Sequence, residues 1–239
     1  MRRSPEDASD NLGAEGSLSL FDLASEEISF LNRSMNCCIG FVDMVNSTKV
    51  TAEIFDRQKV GQYYSVFINT MAILAKNYGA KIVKSAGDAL IFYFPDSSDT
   101  SNELAFKDIL ECFTTMILAR DIINAKLHSE NLPSVSYRIS ADYGKVEVAT
   151  STSSKSEDLF GSTMNICAKI NSMAEPNGIV IGGDLYRIIK SFSFIDKYYQ
   201  FRELSGGYSI GFTHRYPVYT ALSKNTAGID INNINQLFR

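Results

Sequence analysis

The chain has 239 residues, of which 45% are hydrophobic and 21% are charged, and its formal net charge is -4. This composition is typical of one soluble globular domain, and without a basic excess it gives no indication of a nucleic-acid partner. Neither a signal peptide nor an uninterrupted apolar stretch of membrane-spanning length is visible, so we expect a cytoplasmic protein with no membrane segment in this chain.

The four cysteines lie in hydrophobic segments and show no metal-ligand spacing. Neighbouring residues of a strand point to opposite faces, so Cys37 and Cys38 are predicted to enter two different layers. Cys112 and Cys167 are expected to be buried as well. We therefore expect all four cysteines to be small apolar core residues of a protein in a reducing compartment.

The N-terminal segment, residues 1–34, differs from the rest of the chain. Residues 1–16 are polar and rich in turn formers, which predicts a mobile tail. Apolar residues between positions 18 and 31 predict a short amphipathic helix. This helix either docks on its own domain, which we favour, or binds a regulatory domain or partner.

A succession of strand and helix patterns fills residues 35–223, and a short tail of residues 224–239 follows. Short apolar runs predict buried strands, and apolar residues at three- and four-residue spacing predict helices. Gly79 is placed to end the first helix, and residues 85–88 are placed to turn a hairpin that Pro95 stops. The predicted strands cover 37–42, 81–84, 89–94, 135–140, 145–149 and 179–181, and the predicted helices cover 60–78, 102–127 and 163–174.

This order predicts an α+β fold with a ferredoxin-like βαββαβ core, in which helices cover one face of a mostly antiparallel sheet. Asp43 follows the first strand, and Asp88 lies at the tip of the central hairpin. In this topology the two carboxylates lie side by side. An aspartate after a strand is most often a turn or cap residue when it stands alone. A pair suits divalent metal, because Mg²⁺ prefers oxygen ligands and commonly takes one or two carboxylates from the protein.

Three segments, in this order, resemble the motifs of the class III nucleotidyl cyclases. They are residues 41–48 (FVDMVNST), 84–88 (KSAGD) and 158–169 (DLFGSTMNICAK). The resemblance covers residues 37–222 and implies the class III cyclase form of the fold. Asn46 and Ser47 stand where many members have Gly-Phe.

The resemblance also implies a homodimer with active sites at the subunit interface and two divalent cations, Mg²⁺ or Mn²⁺, in each site. One chain would supply the metal ligands, and the other would supply the base-binding and transition-state residues. The implied metal-binding residues are Asp43, Asp88 and Met44, the base-binding residues are Lys84 and Asp158, and the catalytic residues are Asn165 and Lys169. Apart from the resemblance, the loop of residues 44–48 leads towards a predicted helix whose free backbone N–H groups suit phosphate, so Asn46, Ser47 and Thr48 are the predicted phosphate-binding residues.

Lys84 and Asp158 predict ATP as the substrate. Adenine offers N1 as an acceptor and its amino group as a donor, which match a lysine ammonium and an aspartate. Guanine presents the reverse pattern, and guanylyl members of the family typically carry Glu and a small residue at these two places.

Two positions depart from the family pattern. Lys169 stands where an arginine is usual, and lysine lacks the bidentate fork of the guanidinium group. The glycine-rich segment 204–208 stands where many members place a lysine that contacts the terminal phosphates. That role is either lost or passes to Arg202, His214 or Arg215.

The sequence therefore predicts an adenylate cyclase, a phosphorus-oxygen lyase that forms 3′,5′-cyclic AMP and pyrophosphate from ATP. Three alternatives stay open: a cyclase for GTP or a pyrimidine triphosphate, a cyclase-homology module that binds nucleotide or dimerises with little activity, and a palm-type polymerase or dinucleotide cyclase. Residues 182–184 (GGD) superficially match the last of these, but their position after a late strand favours a turn.

Overall fold

The protein is described here by a computed structural model that covers residues 28–151, 157–205, 208–209 and 215–224. Its helices are α1 (Ser47–Ala52), α2 (Arg57–Asn77), α3 (Glu103–Leu118), α4 (Arg120–Ser129), α5 (Ser162–Asn171), α6 (Gly183–Ile189) and α7 (Ile195–Tyr198), with a short 3₁₀ turn at Pro95–Ser98. Its strands are β1 (Ile28–Met44), β2 (Lys81–Ala86), β3 (Ala89–Phe94), β4 (Tyr137–Ser151), β5 (Glu157–Phe160), β6 (Ile179–Gly182), β7 (Tyr199–Glu203), β8 (Tyr208–Ser209), β9 (Arg215–Tyr216) and β10 (Val218–Ser223).

One large sheet organises the fold. Seven strands follow the order β2-β3-β1-β4-β6-β10-β7, and β5 pairs with β4 as the eighth. Within the described residues the pairing of β4 with β6 is parallel and the other strand pairs are antiparallel. The predicted α+β class with a mostly antiparallel sheet is thus confirmed.

The sheet has a hydrophobic core on each face, so the expectation that helices cover one face was wrong. On one face Phe113 of α3 packs against Phe92 of β3, and Phe67 of α2 belongs to the same core. On the other face α5 covers a second core, which contains Met164 of α5 and Ile39 of β1. Burial of apolar side chains on both faces stabilises the central strands at roughly 25 cal/mol per Å² removed from water.

The cysteines occupy these cores as predicted. Cys38 belongs to the core under α2 and α3, whereas Cys37 belongs to the second core. All four are buried and free of disulfides. Burial raises the pKa of the Cys37 thiol to about 12, because the thiolate loses its hydration there.

Strand β1 is longer than the predicted strand over residues 37–42. It begins at Ile28, before the expected domain start at residue 35, so the last four residues of the predicted amphipathic helix are strand. The earlier part of that helix lies outside the described residues. The extension pairs with the far end of β4, from Ile28 opposite Ser151 onward, and a partner 123 residues away leaves no trace in local periodicity.

Strand β4 is continuous, although residues around Tyr143 and Gly144 were expected to separate two strands. Gly144 lies opposite Cys37 in regular antiparallel pairing. A Cβ atom at Gly144 would lie 2.4 Å from Oγ1 of Thr163 on α5. The glycine is therefore required by the close approach of a helix and does not mark a turn.

The helices follow the sequence pattern with one difference. Helix α2 begins after Asp56, whose side chain accepts from the N–H of Gln58 at 2.8 Å, and it is followed by Gly79 at φ +80°. The single helix predicted over residues 102–127 is two helices, α3 and α4, which meet at Ala119. In the described part of the chain no helix is both long and apolar enough to cross a membrane.

Candidate active site

Asp43 and Asp88 lie at neighbouring strand ends. Asp43 is the next-to-last residue of β1, and its register partner on β3 is Ala89, which directly follows Asp88. Ala86 and Ala89 close the hairpin between β2 and β3, and Gly87 adopts φ +65° at its tip. The hairpin therefore places the Asp88 carboxylate beside the end of β1.

The electrostatics of Asp43 fit a divalent cation. The pKa of Asp43 is raised to about 6, chiefly by burial and also by the neighbouring charge of Asp88, while Arg138 and a backbone hydrogen bond from Met44 act in the opposite direction. Two adjacent carboxylates provide negative charge and the hard oxygen ligands that Mg²⁺ and Mn²⁺ prefer. Their role as metal ligands stays a prediction, and the described residues include no group of three or more acidic, cysteine or histidine side chains arranged for a metal.

Met44, the third residue of the implied metal set, has a side chain that is only 3% exposed and lies in the core under α2. A thioether is a soft ligand and does not suit Mg²⁺. Only the backbone carbonyl of Met44 is chemically suited to such a metal.

The implied phosphate-binding residues lie directly after β1. Asn46 has φ +56° and precedes α1, which starts at Ser47. The hydroxyl of Ser47 is buried and donates to a carboxylate oxygen of Asp88, so this serine orients a candidate metal ligand. Asn46 and Thr48 are exposed, and phosphate binding by these three residues stays a prediction.

Lys84 and Asp158 meet within one chain, as the interpretation of a base pocket requires. The Nζ atom of Lys84 lies 2.5 Å from Oδ2 of Asp158, while Oδ1 of Asp158 accepts from the N–H of Leu159 at 2.8 Å. Asp158 belongs to β5, a strand that the sequence pattern did not predict. Val83 is the extra residue of a bulge in β2 and packs on the second core, and such bulges commonly re-aim the side chain that follows.

Asn165 and Lys169 share one exposed face of α5, because residues four apart on a helix lie on the same side. The opposite face buries Cys167 and Ile170. Helix α5 starts after Gly161, which has φ +147° and lies 3.0 Å, measured from an added Cβ, from the carbonyl oxygen of Lys145. The anchored helix thus presents both predicted catalytic side chains to solvent.

Arg138 is a candidate site residue that sequence reasoning missed. It lies opposite Asp43 in the pairing of β4 with β1. Its Nε is buried without a hydrogen-bond partner, which holds for no other buried side-chain nitrogen or oxygen of the described residues. A guanidinium group binds phosphate oxygens well. The available signal was a lone arginine in a predicted apolar strand next to the aspartate-bearing strand.

The residues proposed to replace the family's phosphate lysine are only partly described. Arg202 on β7 and Arg215 on β9 are exposed. His214 lies outside the described residues, as do Gly206 and Gly207 of the glycine-rich segment.

The fold and these side chains define a class of protein: an α+β domain with paired carboxylates at its central strand ends and a lysine–aspartate pair on an adjacent edge. The family model described as the adenylate and guanylate cyclase catalytic domain matches residues 31–211. This match spans more than half of the chain, which therefore belongs to that family.

An adenylate cyclase of Streptomyces coelicolor is 24% identical over 143 residues, which cover 60% of this chain and 31% of that protein. The chain thus spans about a third of the length of this curated relative. The adenylyl cyclase CyaB of P. aeruginosa aligns with a TM-score of 0.70 at 17% identity, over 81% of this chain and 97% of that chain. The guanylyl cyclase Cya2 aligns with a TM-score of 0.69 at 16% identity, over 82% and 97%. At these identities the structural likeness shows the fold alone.

Proposed function

We propose that this protein is an adenylate cyclase that converts ATP to 3′,5′-cyclic AMP and pyrophosphate at a homodimer interface. The observation that carries the proposal is the direct pairing of Lys84 with Asp158, because it joins a donor and an acceptor that match the edge of adenine. The similarity to an adenylate cyclase of Streptomyces coelicolor supports the same substrate.

The site would hold the triphosphate through complementary charge. Asp43, Asp88 and the carbonyl of Met44 would bind Mg²⁺ or Mn²⁺, and the bound cations would activate the ribose 3′ oxygen and neutralise charge on the phosphates. Arg138 lies opposite Asp43 and would face the phosphates. Lys169 would stabilise charge that develops on the transferring group, and Asn165 one turn earlier would orient the ribose.

The proposed active site is shared between two chains. Asp43 and Asp88 of one chain would face Lys84, Asp158, Asn165 and Lys169 of the other. Each homodimer would then contain two equivalent sites, as two-fold symmetry requires.

Product analysis tests this proposal. Purified protein is incubated with each of the four nucleoside triphosphates and Mg²⁺ or Mn²⁺, and the products are identified by mass spectrometry. We expect cyclic AMP from ATP, together with an equal amount of pyrophosphate. Cyclic GMP or a cyclic pyrimidine nucleotide as the main product would overturn the assignment of ATP.

A second candidate is a cyclase-homology module that binds nucleotide without turnover. Lys169 favours it, because a lysine provides a point charge where the family usually has the fork of an arginine. Binding of ATP with no cyclic product from any of the four triphosphates would support this candidate. An active Lys169→Arg variant would then show that this position is what limits turnover.

A further inference from the structure

A buried carboxylate outside the proposed site holds together three parts of the chain. Asp142, on β4, is 1% exposed. Its Oδ2 accepts from the hydroxyl of Tyr216 at 2.6 Å, and its Oδ1 accepts from the N–H of Leu185 at 3.3 Å and of Tyr143 at 2.9 Å. The Tyr216 hydroxyl in turn accepts from the N–H of Asp184 at 3.1 Å. The carboxylate thus ties β9 to the first turn of α6.

The two glycines of the Gly-Gly-Asp sequence are explained by this arrangement. A Cβ atom at Gly182 would lie 2.3 Å from the carboxyl carbon of Asp142, and one at Gly183 would lie 2.5 Å from the ring of Pro217. These residues join β6 to α6 and leave the space in which Asp142 and the chain after Tyr216 fit. The sequence therefore serves packing at a strand-to-helix junction.

Tyr216 also holds the small ribbon that β8 forms with β9. This ribbon has two residue pairs, Tyr208 with Tyr216 and Ser209 with Arg215, and it is separate from the large sheet. Two such pairs are not stable on their own in water. The hydrogen bond from Tyr216 to a buried carboxylate is a strong attachment, because hydrogen bonds to charged groups exceed neutral ones.

Tyr216 also packs on a hydrophobic cluster to which α5 contributes. It packs with Leu204 against a cluster that contains Ile170 of α5, Val180 of β6 and Val218 of β10. Ile170 directly follows Lys169 on the helix. Tyr216 therefore belongs to the ribbon that includes Arg215 and packs on a cluster to which the helix with the predicted catalytic residues contributes.

We propose that Tyr216 and Asp142 form an anchor that positions α5 and the β8–β9 ribbon for the chemical step. Both are assigned as positioning residues, because Asp142 is buried and hydrogen-bonds to Tyr216 and to the backbone N–H groups of Tyr143 and Leu185. This inference rests on the proposed cyclase function, because the anchor would align Lys169 of α5 and Arg215 of the ribbon with the phosphates of the nucleotide. The anchor is not expected to affect base selection by Lys84 and Asp158, which lie on β2 and β5.

Two variants isolate the anchor. Tyr216→Phe keeps the ring and removes the hydroxyl, and Asp142→Asn keeps the shape and removes the charge. Tyr219→Phe is the matched control, because Tyr219 is a nearby tyrosine on β10 whose ring stacks on Tyr186 at 3.8 Å. Hydrogen exchange by mass spectrometry, without nucleotide, should show exchange about tenfold faster in the peptide that spans residues 204–216 and at the start of α6 in both anchor variants. The control should exchange like wild type.

Kinetics test the positioning role. For Tyr216→Phe we expect kcat for ATP to fall about five- to tenfold while KM stays within about twofold and the preference for ATP over GTP is unchanged. Unchanged exchange in both anchor variants would overturn the anchor. Faster exchange with unchanged kcat, in an active protein, would overturn its positioning role. An inactive wild-type protein would count against the proposed function and equally against a positioning role, while the exchange data would still decide the anchor itself.

Discussion

At the scale of single residues, Asp43 and Asp88 carry the clearest consequence. Replacing either with Asn keeps the side-chain shape and removes a charge that would hold divalent metal. We expect Asp43→Asn and Asp88→Asn to lower kcat by on the order of 10³, since several kcal/mol of charge stabilisation are lost. Steady-state assays measure this loss, and Asp121→Asn, at an exposed position of α4, is the control. Near-normal turnover would remove the substituted aspartate from the site.

The ion pair of Lys84 with Asp158 predicts a change of base preference. Lys84→Glu combined with Asp158→Cys exchanges the donor and acceptor roles, so use of ATP should weaken and GTP should become a better substrate. A site that hydrogen-bonds its base can discriminate by roughly 10⁴-fold, so even partial loss is measurable. The measurement is kcat/KM for both triphosphates. An unchanged preference would place base recognition elsewhere.

Asp142 predicts a dependence of stability on pH. Burial raises its pKa to about 6, although hydrogen bonds from Tyr216 and two backbone N–H groups oppose the shift, and the charge of Asp184 on α6 adds to it. An unfolded chain releases this proton near pH 4. Between about pH 4 and pH 6 the native state therefore binds more protons, and this group makes the free energy of unfolding fall as pH rises.

The Asp142→Asn variant lacks this titration, so it serves as the reference. The free energy of unfolding of wild type relative to the variant should fall by roughly 2–3 kcal/mol between pH 4 and pH 7. Urea unfolding at several pH values measures the difference. A difference that does not change with pH would mean that Asp142 is ionised over the same range in both states.

At the scale of elements, the contact between β4 and α5 gives a prediction that links two positions. Gly144→Ala places a methyl group 2.4 Å from Oγ1 of Thr163, so α5 must shift. We expect this variant to lose about 1–3 kcal/mol of stability. Thr163→Ala removes the two nearest atoms and leaves Cβ at 3.5 Å, an ordinary contact, so the double variant should be more stable than the sum of the single losses.

Thermal and urea unfolding of the four proteins complete this cycle. The hydroxyl of Thr163 also bonds to the carbonyl oxygen of Lys145 at 3.2 Å, so Thr163→Ala alone has its own small cost. Strictly additive losses would show that the glycine is not required by the helix contact.

The same pair of elements shows what sequence patterns can and cannot predict. Helix α2 and the hairpin of β2 and β3 were predicted because their caps, turns and spacings are local. The continuity of β4 was missed, because a glycine in the sequence is compatible both with a turn and with the close approach of a helix to a strand. Strand β5 is four residues long and forms through its pairing with β4, so its own residues carry a weak signal.

The candidate site divides in the same way. Ordered motifs predicted four of its residues, Asp43, Asp88, Lys84 and Asp158. The structure places Asp43 and Asp88 at neighbouring strand ends and joins Lys84 to Asp158, while their roles stay predictions. Arg138 was missed because its importance arises from its register opposite Asp43, which depends on pairing two strands far apart in sequence.

At the scale of the whole molecule, the proposed assembly depends on the fit of two surfaces, and this fit is not encoded in any local pattern. A single chain brings Lys84 to Asp158 and sets Asp88 at the hairpin tip. Lys84 and Asp88 are four residues apart in one hairpin. Lys84 would contact adenine, whereas Asp88 would hold metal at the phosphates, and the ribose separates these two parts of the nucleotide. A two-fold assembly resolves this, because the lysine and the aspartate of one hairpin serve different sites.

This geometry predicts complementation between inactive chains. A heterodimer of an Asp88→Asn chain and an Asn165→Ala chain should be active, because one of its two sites receives intact residues from both sides. With two affinity tags to isolate the heterodimer, the rate should reach about half of the wild-type rate per dimer. Each variant homodimer measured alone provides the baseline.

A second heterodimer, in which both substitutions lie on one chain and the other chain is wild type, has the opposite expected outcome. If sites are shared, a heterodimer of wild type with an Asp88→Asn, Asn165→Ala chain has no intact site, since each site draws one defective residue from the double variant. If each chain formed its own site, this heterodimer would keep about half of the activity and the first heterodimer would have none. The active heterodimer under one geometry is therefore the inactive one under the other. Loss of folding would be visible in the homodimer of the variant concerned.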